Sequence, residues 1–216
     1  MTDATSLPDQ HALWNIKHSK GEHAAHRASE MPFARQAASR FPKGANILEI
    51  GCGVGADAIF FGVQGFDVLA TDISEVVIAQ DQQLYDSERV HFQQLDVAAT
   101  LSFEDETFDV VYSHLALHYY SDEMTRRVFD ELRRVLKKGG TLAFACKSTH
   151  DSRYGIGDEV EPDLFIGKGG HVRHFFSVEY VQSLLNEDYD VAVLEEGEES
   201  YSDGISGFVY CIATKK

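Results

Sequence analysis

The chain has 216 residues, 44% of them apolar and 25% charged, with a formal net charge of -16. That composition predicts one soluble α/β domain with a sizeable core and excludes a disordered chain. So strong an acidic balance, with no Lys/Arg run, weighs against a nucleic-acid partner.

The first ten residues, MTDATSLPDQ, lack the basic-then-apolar order of a secretion signal, and no run reaches the roughly 20 apolar residues of a membrane span. A cytoplasmic protein with no membrane contact is expected, its oligomeric state left open. Cys52, Cys146 and Cys211 have no C-x-x-C spacing and read as small buried apolar residues. Asp9 caps a first helix with Ala12, Leu13 and Ile16 on its apolar face. A second helix from Ser29 carries Met31, Phe33, Ala34, Ala37 and Ala38 and stops at Phe41-Pro42-Lys43-Gly44. Residues 1–44 thus read as an N-terminal helical cover. His23 and His26 within it read as solvated.

Strand and helix then alternate through a core at 45–147. The first strand is Asn46 to Ile50, and a helix runs from about Val54 to Gln64. The second strand is Asp67 to Thr71, followed by a helix that Ser74 caps, with Val77, Ile78 and Leu84 inward. Strands at Val90 to Leu95 and Phe108 to Ser113 come next, then a helix over Asp122 to Lys138 and a strand over Gly140 to Cys146. Residues 148–174 show no period, and a loop of that length in a compact domain is usually functional. An active-site loop is therefore placed at 148–176. A C-terminal unit follows at 177–216: a helix over Ser177 to Asn186, then strands Tyr189 to Glu195 and Gly207 to Thr214. An acidic loop, EEGEESYSDG, separates these two strands, which can pair as an antiparallel hairpin.

The stretch NILEIGCGVGAD, Asn46 to Asp57, carries the chemistry. A strand breaks into Gly51, Gly53 and Gly55 and a helix follows, which lets backbone approach a ligand at an electropositive helix end. Gly51, Gly53 and Ala56 also satisfy G-x-G-x-x-G/A, so a nicotinamide dinucleotide competes with other adenosine ligands. Asp72, at the end of the second strand, suits ribose hydroxyls in either case. Asp96 ends the third strand, where a carboxylate can accept adenine amino hydrogens while Val97 and Ile73 sandwich the ring. The short-chain dehydrogenases need a Tyr-x-x-x-Lys pair, and none of the nine tyrosines has one.

ILEIGCGVGADAIFFGVQGFDVLATDIS, LDVAAT-LSFEDETFDVVYS and LRRVLKKGGTLAFA together resemble the ordered motifs of the class I S-adenosylmethionine-dependent methyltransferases. The resemblance covers Asn46 to Ala145 closely and the C-terminal helix and hairpin loosely. It implies a Rossmann-like, seven-stranded, mostly parallel sheet with the last strand antiparallel and helices on both faces. It implies S-adenosylmethionine as cofactor, with Glu49, Gly51 and Gly53 at the methionine moiety and Asp72 on the ribose. Ile73, Asp96 and Val97 would meet adenine, and Ser113 and Leu115 would flank the methionine end. Residues 149–177, ending in His174-Phe175-Phe176-Ser177, bear a looser likeness to the tellurite-resistance and thiopurine-type small-molecule methyltransferases.

The expected activity is in-line methyl transfer to a small-molecule acceptor of unspecified atom type. The alternatives are a cofactor-binding module without turnover and a methyltransferase acting on a protein side chain. No catalytic residue is assigned, because a soft anionic acceptor needs no general base. Substrate-side candidates are Trp14, His118, Tyr119, Tyr154 and His174. His114 and His118 have i, i+4 spacing, but no third ligand supports a metal site, and none is expected.

Overall fold

In this computed structural model, residues 7–21, 30–201 and 204–216 are described. His23 and His26 fall outside them. The α-helices among these residues are α1 (Gln10–Ser19), α2 (Pro32–Ala38), α3 (Ala56–Val63), α4 (Glu75–Tyr85), α5 (Asp122–Val135) and α6 (Val178–Leu185). The core strands are β1 (Asn46–Ile50), β2 (Asp67–Asp72), β3 (Val90–Gln94), β4 (Phe108–His114) and β5 (Leu136–Lys147). Short strands β6 (Asp158–Glu161), β7 (Leu164–Ile166) and β8 (Val172–His174) precede the long pair β9 (Tyr189–Tyr201) and β10 (Gly204–Lys215).

The main sheet has seven strands in the order β3-β2-β1-β4-β5-β10-β9. β10 runs antiparallel to both β5 and β9, and the other pairings are parallel. This is the expected Rossmann-like architecture. Alternate residues of each strand feed two apolar layers, as a sheet covered on both faces requires. Leu48, Val111 and Phe144 face Val128, Leu132 and Val135 of α5 and Val181 of α6. Ile47, Val68 and Val110 face Phe33 of α2, Phe61 of α3 and Val77 of α4. All three cysteines are buried and free.

Side-chain caps start several helices where the sequence places them. Asp9 accepts from the Ala12 N–H, Ser74 from Val77, Ser121 from Met124 and Ser177 from Tyr180. The helix faces differ from expectation in two places. Ile16 is 54% exposed, and α1 instead turns Gln10, Trp14, Lys17 and His18 inward, because it covers a cavity and not a core. Leu84 is 60% exposed, and Asp81 takes the buried position on α4.

Three boundaries also move. α5 ends at Val135, and β5 begins at Leu136, whose register partner is Phe108 of β4. Residues 148–174 hold a small antiparallel sheet, β6-β7-β8, bridged to the main body by Ser148 and Phe176. Most of the acidic stretch read as a loop is strand, because β10 supplies hydrogen-bonding partners to β9 as far as Tyr201.

Candidate active site

The C-terminal ends of the parallel strands, where such sheets bind ligands, open onto a cavity of about 610 Å³ roofed by α1. Gly51 and Gly53 line its floor, and Gly55 ends the same loop. Gly51, Gly53 and Gly55 have φ of 72°, 52° and 75°, a left-handed conformation that a side chain disfavours. A Cβ on Gly51 would overlap the Ala116 methyl, whereas one on Gly53 would meet nothing within 4 Å.

Asp72 anchors this loop to β2. Its Oδ2 accepts from the Gly53 N–H at 3.0 Å and its Oδ1 from the Ser74 N–H at 2.9 Å. The roof is tied to the same region. Asn15 of α1 accepts from the Ser74 hydroxyl at 2.6 Å and donates to Glu75 at 2.8 Å. At the other end Gln10 donates to the Gly170 carbonyl at 3.0 Å. Between these ties the Trp14 ring stands edge-on to Tyr119, with centroids 5.3 Å apart.

Two acids line the cavity under unusual conditions. Glu49 is buried, and its Oε2 has no hydrogen-bond partner. Burial first, and then the charges of Asp57, Asp72 and Asp81, hold its carboxyl well above the usual range. Asp57 is pushed up to about 6 by burial, against hydrogen bonds from the Met31 N–H at 2.7 Å and the Tyr112 hydroxyl at 2.8 Å. An acid with a raised folded-state pKa favours folding in its protonated form. Its contribution is complete below the unfolded pKa near 4 and is lost as pH rises through about 6. Stability of the wild type relative to Asp57→Asn should therefore fall by about 2–3 kcal/mol between pH 4 and 7. Urea denaturation of both proteins across that range checks this, and parallel curves would refute it.

Of the cofactor residues expected from sequence, Glu49, Gly51, Gly53, Asp72, Ile73, Val97 and Leu115 line the cavity. Asp96 does not. It is exposed, and its Oδ1 accepts from the Ala98 N–H at 2.9 Å, closing a turn in its own loop. Ser113 is fully buried, and its hydroxyl donates to the Ile50 carbonyl at 3.0 Å.

Among substrate-side candidates, Trp14 and Tyr119 reach the cavity. His118 lies beneath it, buried, with its carbonyl accepting from the His174 N–H at 2.9 Å. Burial first, then the charges of Lys147 and Arg173, hold its imidazole well below the usual range and so neutral at pH 7. His174 is buried against Phe176 and Tyr180, at ring distances of 5.1 and 4.7 Å. Tyr154 is 41% exposed, and its hydroxyl donates to Asp163 at 2.6 Å within the small sheet. The His118 backbone, the His174 ring and the Tyr154 hydroxyl thus each make contacts with or within the segment after β5. Tyr119 is pushed up to about 12 by burial, so its hydroxyl keeps its proton and can donate a hydrogen bond. No group of three or more metal-ligating residues occurs among the described residues.

The cavity also contains Lys17, Leu95, Lys147, Arg153 and Ser206, which residue type and spacing did not single out. Lys147 carried a positional signal, since it ends β5 at the ligand-binding edge of the sheet. Arg153 follows in an aperiodic segment. Ser206 reaches the site because β10 is antiparallel and starts where the parallel strands end.

Residues 47–140 match the methyltransferase domain family. The chain is 33% identical over 118 residues to malonyl-(acyl-carrier protein) O-methyltransferase of Enterobacter lignolyticus, covering 55% of this chain and 44% of that protein. It is 30% identical over 167 residues to 27-O-demethylrifamycin SV methyltransferase of Amycolatopsis mediterranei, covering 74% of this chain and 58% of that one. The chain thus spans about half the length of these curated relatives. Among solved structures, 1,6-didemethyltoxoflavin-N1-methyltransferase of Burkholderia thailandensis, crystallised with 1,6-didemethyltoxoflavin and S-adenosylhomocysteine, shares the fold. Its TM-score is 0.74 at 17% identity, over 100% of this chain and 93% of that one. A methyltransferase structure from Methanosarcina mazei gives 0.70 at 23% identity, over 87% and 98%.

Proposed function

The chain belongs to the class I S-adenosylmethionine-dependent methyltransferases, and from that premise we propose that it transfers a methyl group to a small-molecule acceptor by in-line displacement. The observation that carries this is one continuous cavity. It joins the glycine loop and Asp72 on one side to Tyr119, Lys147 and Ser206 on the other, so cofactor and acceptor can meet under α1.

S-adenosylmethionine, when bound, supplies a methyl group made electrophilic by a sulfonium. The donor set fits this cofactor. The unpartnered Oε2 of Glu49 offers a buried carboxylate oxygen to an α-ammonium group, and the space above Gly53 admits a ligand where a Cβ would intrude. Asp72 would hold the ribose hydroxyls, with Ile73, Leu95 and Val97 packing on adenine. Asp96 and Ser113 are left out of this assignment, because neither lines the cavity in this structure. The chain's own work would be alignment and exclusion of water, which Trp14 and Tyr119 perform from above the acceptor side. Burial holds the His118 imidazole well below and the Tyr119 hydroxyl above their usual ranges, which makes both poor bases at neutral pH, and an acceptor that is already anionic would need none.

A small acceptor is supported by the roofed cavity and by a relative named as a 27-O-demethylrifamycin SV methyltransferase. No helix among the described residues is long and apolar enough to cross a membrane. The net charge of -16 opposes a polyanionic acceptor such as nucleic acid. Isothermal titration with S-adenosylmethionine and S-adenosylhomocysteine, followed by cofactor turnover with phenols, thiols, amines and carboxylates, tests the reading. Absence of binding sinks the cofactor assignment. Binding with no turnover, and label transfer to protein instead, would favour the sensing and protein-modifying alternatives respectively.

Glu49 supplies a further expectation. Its carboxyl holds a proton in the free protein to higher pH than an ordinary glutamate, and an ammonium partner would lower that pKa. Cofactor binding should then release protons, and affinity should rise with pH up to the free-protein pKa. Titration in two buffers of different ionisation heat should give different apparent enthalpies for the wild type and closely similar ones for Glu49→Gln. Equal buffer dependence in both would place the proton elsewhere.

A further inference from the structure

The side of the cavity away from the adenosine residues is cationic, against the sign of the whole chain. Lys147, at the end of β5, is only 8% exposed, and burying a lysine ammonium is costly unless a counter-charge meets it. Its Nζ donates to Asp151 Oδ2 at 3.0 Å and lies over the Phe208 ring, 4.3 Å from the centroid. Asp151 is itself fixed. Its Oδ2 also accepts from the Gly207 N–H at 3.1 Å, and its Oδ1 accepts from the Arg153 N–H at 2.9 Å. Arg153 lines the same cavity, and the charge of half-buried Arg173 of β8 also reaches Lys147. Burial first, and then the charges of Arg153 and Arg173, push the Lys147 ammonium below its usual range, while Asp151 opposes that shift.

Asp151 offsets the Lys147 charge, and Lys147 and Arg153 both line the cavity, so an anion placed there would gain from two nearby cations. The strand order says which ligand would bring one. Asp72 and Ile73 lie at the end of β2, and Leu95 and Val97 follow β3, so the adenosine half lies at one side of the sheet, with β1 and β4 in the middle. Lys147 and Ser206 lie on β5 and β10, past the methionine end. We propose that the methyl acceptor carries an anionic group, a carboxylate, which Lys147 and Arg153 hold at the β5–β10 side of the cavity beside Tyr119. An arginine fork and a lysine point charge suit a carboxylate, and the protonated Tyr119 hydroxyl is a further donor. This rests on the methyl-transfer reading above and narrows its acceptor class.

The test uses the full chain saturated with S-adenosylhomocysteine, whose own binding is measured first. Failure of that first step sinks the methyl-transfer reading, whereas the second titration judges the anion site alone. In it the saturated protein is titrated with formate and benzoate and with their uncharged partners, formamide and benzamide. Formate is small enough to enter the cavity whatever the shape of the natural acceptor. Expected is carboxylate binding about tenfold or more tighter than that of the amides, weakened by a similar factor in Arg153→Gln and in Lys147→Gln. Arg153 is half-buried, so its variant keeps the test sound should the buried Lys147 substitution unfold the chain. Equal affinity for carboxylate and amide, no carboxylate binding, or binding unchanged in Arg153→Gln would overturn the proposal. Carboxylate binding only in the cofactor-free protein would overturn it too, by assigning the cluster to the cofactor's own carboxylate.

Discussion

Gly51→Ala is expected to lower the melting temperature by about 5–15 °C and to abolish cofactor binding. Two costs add. The left-handed φ of 72° is disfavoured for a residue with a Cβ by about 1–2 kcal/mol. The new methyl would also overlap that of Ala116, and such overpacking costs about 1–3 kcal/mol more. For a chain of this size about 2–4 °C of melting temperature corresponds to each kcal/mol. Both residues line the cavity, so relief of the overlap must move the loop that the ligand rests on. Gly53→Ala separates the two costs. It shares the left-handed backbone, but its Cβ points into open space, so it should lose affinity with a much smaller loss of stability. Thermal melts and cofactor titrations of the two variants check the contrast. Equal melting temperatures for both would mean that the Ala116 contact does not constrain the loop.

Asp72→Ala is expected to weaken S-adenosylhomocysteine binding by about 10–100-fold, equivalent to about 1.5–3 kcal/mol. The loss has two sources. The carboxylate proposed to meet the ribose disappears, and the Gly53 and Ser74 N–H groups lose the acceptor that holds the glycine loop against β2. The second source predicts that Asp72→Ala also lowers stability in the absence of ligand, because at 8% exposure its partners are left in a dry site. Unchanged affinity by calorimetry would place the ribose elsewhere.

The two variants act on features legible from residue type and spacing. A strand that ends in alternate glycines needs a backbone that only glycine adopts readily, and an acid at the next strand end sits where such sheets bind ribose. Strand-helix alternation also carried the order of the core elements, because strands covered on both faces read as continuous apolar runs: Ile47 and Leu48 enter opposite layers and both are buried. Caps at Asp9 and Ser74 were readable because capping depends on a side chain and the backbone two or three residues on.

Elements that rest on strand pairing more than on their own residue pattern were not readable, or not to their full length. β6, β7 and β8 have three or four residues each, too short for a period to develop, and they exist because they pair with one another. The acidic stretch of β9 has poor strand propensity and is extended because β10 completes its ladder. His118, Tyr154 and His174 carry the residue types of a substrate site, yet packing turns two inward and ties the third to Asp163.

Residue type and spacing were enough for the adenosine half of the site, because there ligand contacts follow from backbone conformation and strand ends, both local properties. The residues facing the other half depend on the folded chain. Lys147, Arg153 and Ser206 lie up to 59 residues apart (206 minus 147) and come together because an antiparallel β10 begins where β5 ends. No local pattern records that meeting, since long-range pairing and side-chain burial set it.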